Sequence, residues 1–451
     1  MSAANVLPRR RRALARARGA AHQAAASVLP RRGRTLAQAR DTTDLGAITT
    51  RAPEASRADL LRLGIEPRGI DAIWRAVEAF FRTGFHPAIS LCIRRHGEVI
   101  LDRAIGHAEG TGPDDAPGAP RRLATPDTPY CLFSASKAIT AVLIHHLDDQ
   151  GLLHIDDRVA DYLPEFACHG KETTTLRHVL THRAGIPSIA GPEDVDRAAL
   201  LLDWDQVVAR LCAARPDWPP GRRLAYHAVT GGFILGEVVR RVTGKGIREV
   251  LAEQLLDPLG FAAMNYGLPP QQRARIARNA FTGRPAPFPF SRIVRRALGV
   301  PFREATRISN DPRWLEAVVP SGNICATANE ASRFYQLLLN EGELDGVRVL
   351  DPRTVRRART ETAYLELDLT LGLPLRYGLG FMLGAPRLSL YGPGTPQAFG
   401  HMGFIENVTW ADPQRQIAVA LLNSGKPFLG AHLLRLRGVV AAIARHCPVV
   451  R

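Results

Sequence analysis

The chain has 451 residues, 45% of them hydrophobic, with 33 prolines, 39 glycines and a formal net charge of +16. This length allows two or three domains around a large core, and the composition excludes a small stapled scaffold or a chain too polar to fold. Six scattered cysteines without a CxxC pair exclude a disulfide framework and a zinc ribbon.

Reduced thiols and the lack of any apolar run of spanning length predict a cytoplasmic protein. The charge is uneven. Residues 1–52 carry eleven arginines against Asp41 and Asp44. An Arg/Ala-rich stretch almost without aromatic or β-branched residues reads as a disordered basic tail over 1–55, ahead of one catalytic unit over 56–451. Such a tail suits nucleic acid or an anionic surface. A solvated extension without a partner is the favoured reading.

In chain order, Ile70, Ile73, Trp74, Val77, Phe80 and Phe81 have helical spacing. Ala88 to Arg94 and Val99 to Ile105 read as a hairpin around Arg95-His96-Gly97-Glu98, and 107–129 as loop. Residues 134–150 read as a helix stopped by Gly151, and Phe233 to Val242 as another. Arg284 to Pro320, Pro/Arg-rich with weak periodicity, reads as a cap or an ordered excursion. Glu406 to Ala411 and Ile417 to Leu422 read as strands turning at Asp412-Pro413-Gln414, before a last helix over about 429–444. Strands at both ends with helices between predict an α+β fold: an antiparallel sheet built from 56–129 and 391–451, with a mostly helical insertion over 130–390.

Only four of the 59 basic residues are lysines, and one stands three residues after a serine in Phe133-Ser134-Ala135-Ser136-Lys137. Arginine stays charged at any working pH, whereas a desolvated lysine loses its proton and becomes a base. On a helix the pair shares one face, one turn apart, beside N–H groups able to hold an oxyanion. Alone the pair is a weak signal.

Further segments give it context. Thr175-Leu176-Arg177-His178-Val179-Leu180-Thr181-His182 through Pro187, Tyr162-Leu163-Pro164-Glu165-Phe166, Pro219-Pro220-Gly221 with Tyr226, Tyr377-Gly378-Leu379-Gly380-Phe381 and Phe399-Gly400-His401-Met402-Gly403 follow in order. This set resembles the serine β-lactamase-like family of class C β-lactamases, penicillin-binding enzymes and family VIII carboxylesterases, over roughly 65–445. The resemblance implies Ser134 as acylated nucleophile, Lys137 as its amine and Tyr226 as proton shuttle. It puts His401, Gly403 and Phe404 at the substrate strand. Gly403 would leave room for substrate, and the N–H of Phe404 would join that of Ser134 in an oxyanion hole. A nearby ammonium would favour a Tyr226 phenolate.

Two departures bear on substrate. The family's Tyr-x-Asn reads Tyr226-His227-Ala228, and its lysine of Lys-Thr-Gly is His401, mostly neutral near pH 7. Both weaken recognition of a lactam's amide and carboxylate and favour a small-molecule ester, hydrolysed or transferred to another acceptor. A β-lactamase or D-amino-acid peptidase, and a non-catalytic acyl-binding sensor, remain alternatives. His178 and His182 are expected to be structural rather than metal ligands, Ser136 to support the lysine, and Cys131 and Cys325 to pack. No P-loop, Rossmann or zincin motif occurs, so no cofactor is expected.

Overall fold

The computed structural model describes residues 44–189, 197–404 and 406–450. The arginine-rich tail up to residue 43 lies outside them.

Helix α1 (Pro67–Phe81) starts at a proline, whose missing N–H is no loss at that position, and buries Ile70, Ile73, Trp74, Val77, Phe80 and Phe81. The hairpin forms as strands β2 (Ala88–Arg95) and β3 (Glu98–Glu109), its turn made by His96 and Gly97 at positive φ. Ahead of both, β1 (Thr49–Arg51) pairs with β3. The folded unit therefore begins inside the stretch read as tail. Short strands β4 (Arg122–Leu123) and β5 (Tyr130–Cys131) lead to helix α2 (Ser136–Asp149), with Gly151 at positive φ past its end.

The middle of the chain holds α3 (Thr230–Thr243), β6 (Asn265–Tyr266), α4 (Phe290–Leu298), α5 (Phe302–Ile308), β7 (Ile324–Ala326) and α6 (Ala328–Leu339). Two small strands follow, β8 (Glu343–Leu344) and β9 (Val347–Arg348). Then come β10 (Ala363–Leu367), β11 (Pro374–Tyr377), β12 (Met382–Leu383), β13 (Phe399–Gly403), β14 (Asn407–Asp412), β15 (Ile417–Asn423) and helix α7 (His432–His446).

The fold is α+β and of the β-lactamase/transpeptidase type. Its main sheet runs β1-β3-β2-β15-β14-β13-β12-β11-β10, antiparallel throughout, with β4 beside β3. The expected pairing of the two chain ends is the β2–β15 contact, from Ile417 opposite Arg95 to Asn423 opposite Ile89. One expectation fails in detail. Residues 363–383, read as part of the helical insertion, supply β10, β11 and β12 to the main sheet. Their short, bulged, half-exposed ladder gives no clean alternation to detect.

Alternation along the central strands divides the core. Ile89, Leu91, Ile93, Val419 and Leu421 face α1 and α7, together with Ile73, Trp74, Val439 and Ile443. The opposite face carries small side chains: Cys92, Ala104, Ala418 and Ala420. These let α6 and the rest of the helical region lie close to the sheet.

Candidate functional site

The turn before α2 is a short 3-10 segment, Phe133–Ala135, so Ser134 stands just ahead of the helix rather than inside it. Phe133 has φ +49, a left-handed conformation that an aromatic residue rarely adopts. Such strain at the residue preceding a candidate nucleophile needs outside support, which comes from three sides. The Ser136 hydroxyl accepts the Ile324 N–H at 3.0 Å, docking the helix on β7. This replaces the expected support of the lysine by Ser136. The Asn407 amide donates to the Cys131 carbonyl at 2.9 Å. Finally, a Cβ on Gly403 would stand 1.9 Å from the Leu132 carbonyl oxygen, so only glycine lets β13 press on this turn. Gly403 was read as room for substrate; what it visibly gives is room for the serine-bearing turn.

Lys137 is buried one turn after Ser134. Its Nζ lies 3.3 Å from Ser134 Oγ, 2.7 Å from the Ala228 carbonyl and 2.9 Å from the Ser321 carbonyl. Desolvation pulls its pKa down from 10.5 to about 7. No carboxylate offsets that desolvation. In its neutral form, with two hydrogens donated to the two carbonyls, the amine would present its lone pair to the serine hydroxyl. The Ser321 acceptor is held by α3: a Cβ on Gly232 would fall 2.4 Å from Ser321 Oγ, and the Gly232 N–H donates to that oxygen at 3.0 Å.

Tyr226 joins the pair. Lys137 Nζ sits 4.8 Å from the centre of its ring, and its hydroxyl is hydrogen-bonded to Ser134. Burial pushes the phenol above its usual range, and the Ser134 bond pulls it partly back. Desolvation is the largest effect, and the expectation of a resting phenolate gives way to a neutral phenol. Asp368 fixes the backbone here, its Oδ1 accepting N–H bonds from Tyr226 at 3.1 Å and from Thr370 and Leu371 at 2.9 Å. The sequence reading missed Asp368, because Tyr226, the partner that gives it a place in the site, lies 142 residues away.

His401 lies on β13, its ring 6.3 Å from that of Tyr226. Nδ1 is 2.8 Å from the Met402 carbonyl, which can only accept, so Nδ1 carries the proton. Burial and the nearby Lys137 lower its pKa to about 3, and the ring is neutral. Phe404, at φ +44, stacks between Phe133 at 4.6 Å and Phe302 at 4.3 Å. All six residues singled out in the sequence therefore meet at the junction of β13 with the turn before α2.

Beneath this junction lies a buried polar network that the sequence did not reveal. Lys426 Nζ donates to the Asn423 carbonyl at 2.7 Å and to Asn423 Oδ1 at 3.2 Å, and stands 5.1 Å from the Phe133 ring centre. Asn423 donates from its backbone to Asn407 Oδ1 and from its side chain to the Glu406 carbonyl, both at 2.9 Å. The Glu406 carboxylate lies 3.2 Å from His86 Nε2 and 3.5 Å from His432 Nε2. The scarcity of lysine is the one sequence feature connected with it: three of the four (Lys137, Lys171 and Lys426) are buried.

The other residues flagged in the sequence have structural partners. His182 Nδ1 accepts the His227 N–H at 3.2 Å, and His178 Nδ1 accepts the Thr175 N–H at 3.2 Å. Cys131 and Cys325 face each other across β5 and β7 as free thiols. Among the described residues no group of three or more His, Cys, Asp or Glu is placed to hold a metal ion, and no helix is long and apolar enough to cross a membrane.

A strained serine turn beside a desolvated lysine and a tyrosine, on this sheet, defines a serine hydrolase of the β-lactamase fold. Residues 75–442 match the Beta-lactamase family, and the chain belongs to it. It is 32% identical over 348 residues to the esterase/β-lactamase LipL of Mycobacterium tuberculosis (strain ATCC 25618 / H37Rv), covering 74% of this chain and 76% of LipL. A putative D-alanyl-D-alanine carboxypeptidase of Escherichia coli (strain K12) is 26% identical over 76% of this chain and 79% of its own. Among solved structures, a family VIII carboxylesterase superposes with TM-score 0.71 at 30% identity, over 83% of this chain and 97% of that one. A penicillin-binding protein homologue from Caulobacter crescentus gives 0.70 at 31%, over 84% and 98%.

Proposed function

We propose that the protein is a carboxylesterase working through an acyl-enzyme on Ser134. The observation that carries this reading is the Lys137 amine, desolvated and 3.3 Å from the serine hydroxyl, with its two remaining donors committed to backbone carbonyls. In the free enzyme near neutral pH a large fraction of this amine is unprotonated and takes the proton of Ser134 as the serine attacks the ester carbonyl. The N–H groups of Ser134 and Phe404 receive the oxyanion. Tyr226, a neutral phenol bonded to the same serine, passes a proton to the departing alcohol. It then helps draw one from the water, or acceptor alcohol, that releases the acyl group.

An ester is favoured over a lactam or a peptide carboxylate because the cleft lacks a fixed cation at position 401. A neutral, carbonyl-bonded imidazole gives little hold on a carboxylate, and Ala228 offers no side-chain hydrogen bond. The similarity to LipL and to a family VIII carboxylesterase agrees with this choice; the carboxypeptidase similarity keeps peptide hydrolysis as the competing activity. Purified protein assayed on short p-nitrophenyl esters, on nitrocefin and on a D-alanyl-D-alanine peptide separates the three. Turnover of esters that disappears in Ser134→Ala is the expected result. Esterase activity surviving in that variant would remove the assignment.

A further inference from the structure

The stretch 284–320 forms three short helices, and the first two carry an unusual surface. Residues 284–303 contain five arginines and no acid. Helix α4 places Phe290, Ile293, Val294, Ala297 and Leu298 along one side and Arg292, Arg295 and Arg296 along the other, yet none of its residues is fully buried. Its C-terminal end reaches the cleft, where Ala297 and Leu298 pack on the cluster around Tyr226, Ala228 and Tyr377. At the other end Phe288 is 74% exposed, and Phe290, also exposed, meets Phe428, whose neighbour Leu429 is exposed too. Arg296 is tied to Asp217 and Arg303 to Asp114. Among the described residues Arg284, Arg292 and Arg295 have no ion pair.

A second segment reaches the same cluster from another side. Leu371 and Leu375 of the β10–β11 hairpin pack on it, while Tyr364 (70%), Leu367 (54%) and Leu373 (57%) of that hairpin stand in solvent. Scattered single apolar residues need no explanation, but two segments that meet at one catalytic cleft and both expose large apolar side chains do. Unpaired arginines beside exposed phenylalanines and leucines match the two layers of an anionic lipid surface: phosphate headgroups for the guanidinium groups, the acyl boundary for the side chains. A nucleic acid would satisfy the arginines but offers the leucines nothing.

We propose that this cleft rim docks on an anionic lipid surface, so that the ester is drawn from the lipid phase. The substrate part of this proposal rests on the esterase reading; the docking part does not, and the test separates them. Full-length Ser134→Ala protein, which needs no turnover to be read, is sedimented with phosphatidylcholine vesicles and with vesicles holding one-third phosphatidylglycerol. At least tenfold stronger binding to the anionic vesicles is expected. The added changes Phe288→Ser, Arg292→Glu and Leu373→Ser should together lower that binding tenfold or more. The same three changes in the otherwise unaltered chain should leave hydrolysis of a short water-soluble ester within about twofold, confirming that the fold is intact. Equal binding to both vesicle types would overturn the proposal. So would anionic binding that survives the three changes and is lost only on deleting residues 1–43, and so would rim-dependent binding to a DNA duplex with none to vesicles. Absence of ester hydrolysis alongside rim-dependent vesicle binding would leave the docking surface standing and remove the esterase.

Discussion

Lys137→Met gives the sharpest test of the proposed general base, through the pH dependence of stability. In the unfolded chain this lysine titrates near 10.5; in the fold burial brings it to about 7. Between those values the unfolded state binds a proton that the folded state does not. The native protein must therefore gain stability as pH rises through this window. At about 1.4 kcal/mol per pH unit, the proton costs the fold roughly 4 kcal/mol at pH 7, where the folded amine is itself half-protonated, and about 2 kcal/mol at pH 9. Lys137→Met has no such term. It also leaves the Ala228 and Ser321 carbonyls without their donor, at about 1–3 kcal/mol each, but that loss does not vary with pH.

The parent-minus-variant difference in unfolding free energy cancels every titration shared by the two proteins. Measured by urea denaturation at pH 7, 8 and 9, it should move in favour of the parent by about 2 kcal/mol across that range. A flat difference would mean that the ammonium persists in the fold, and the argument for Lys137 as base would end there. Single-turnover acylation by p-nitrophenyl acetate offers the kinetic counterpart: the rate should rise with pH to a plateau, with an apparent pKa near 7. A rate still climbing at pH 10 would point to the same failure.

Other expected outcomes follow from the site geometry. Lys137→Arg should cost ester hydrolysis at least a hundredfold, since guanidinium does not accept the proton; near-normal kcat in a folded variant would contradict this. Gly403→Ala would drive a methyl into the Leu132 carbonyl, so thermal unfolding should show a loss of about 1–3 kcal/mol, together with a fall in kcat. Asn407→Ala removes the bond to Cys131 and leaves the Asn423 N–H unpaired, which should lower kcat tenfold or more with KM changed less than threefold; unchanged kcat would show that the buried network supports the fold only. Nitrocefin should be turned over far more slowly than a p-nitrophenyl ester, and comparable rates would show that His401 and Ala228 do not set substrate choice.

Much of this was legible in the sequence because its signals are local. Helix α1 announces itself through six apolar residues at 3.6-residue spacing, the β2–β3 hairpin through its turn, and the candidate nucleophile through the ordered motifs that surround a serine three residues before one of four lysines. Signals that depend on distant partners were not visible. Asp368 looks like an ordinary loop acid until the Tyr226 N–H is placed beside it. Ser136 reads as the lysine's helper because the two are adjacent, whereas its partner is Ile324. The phenolate expected at Tyr226 fails for a related reason. Sequence names the neighbouring charge but not the depth of burial, and here burial is the larger effect.

Lysine scarcity pointed to the serine, and the ordered motifs gave that pointer its weight. Arginine keeps its charge and must stay solvated or hydrogen-bonded: the α4 arginines are exposed, and the buried Arg95, Arg103 and Arg415 are held by carbonyls or carboxylates. Lysine can surrender its proton and so can be buried without a counter-ion, at a cost. Lys137 and Lys426 are both buried and both drawn to about 7, one beside the serine hydroxyl and one behind Phe133, on opposite sides of the same strained turn. They differ in what faces them. Lys137 has only backbone carbonyls and Ser134, which leaves its lone pair available to the reaction. Lys426 has Asn423 and Asn407 as acceptors, with Glu406 partly offsetting its desolvation, so its hydrogens are committed and it works as a rivet. A variant that exchanges these surroundings, rather than the lysines, would therefore exchange their behaviour: Glu406→Gln should lower the Lys426 pKa further and loosen the turn while leaving the Lys137 titration in place.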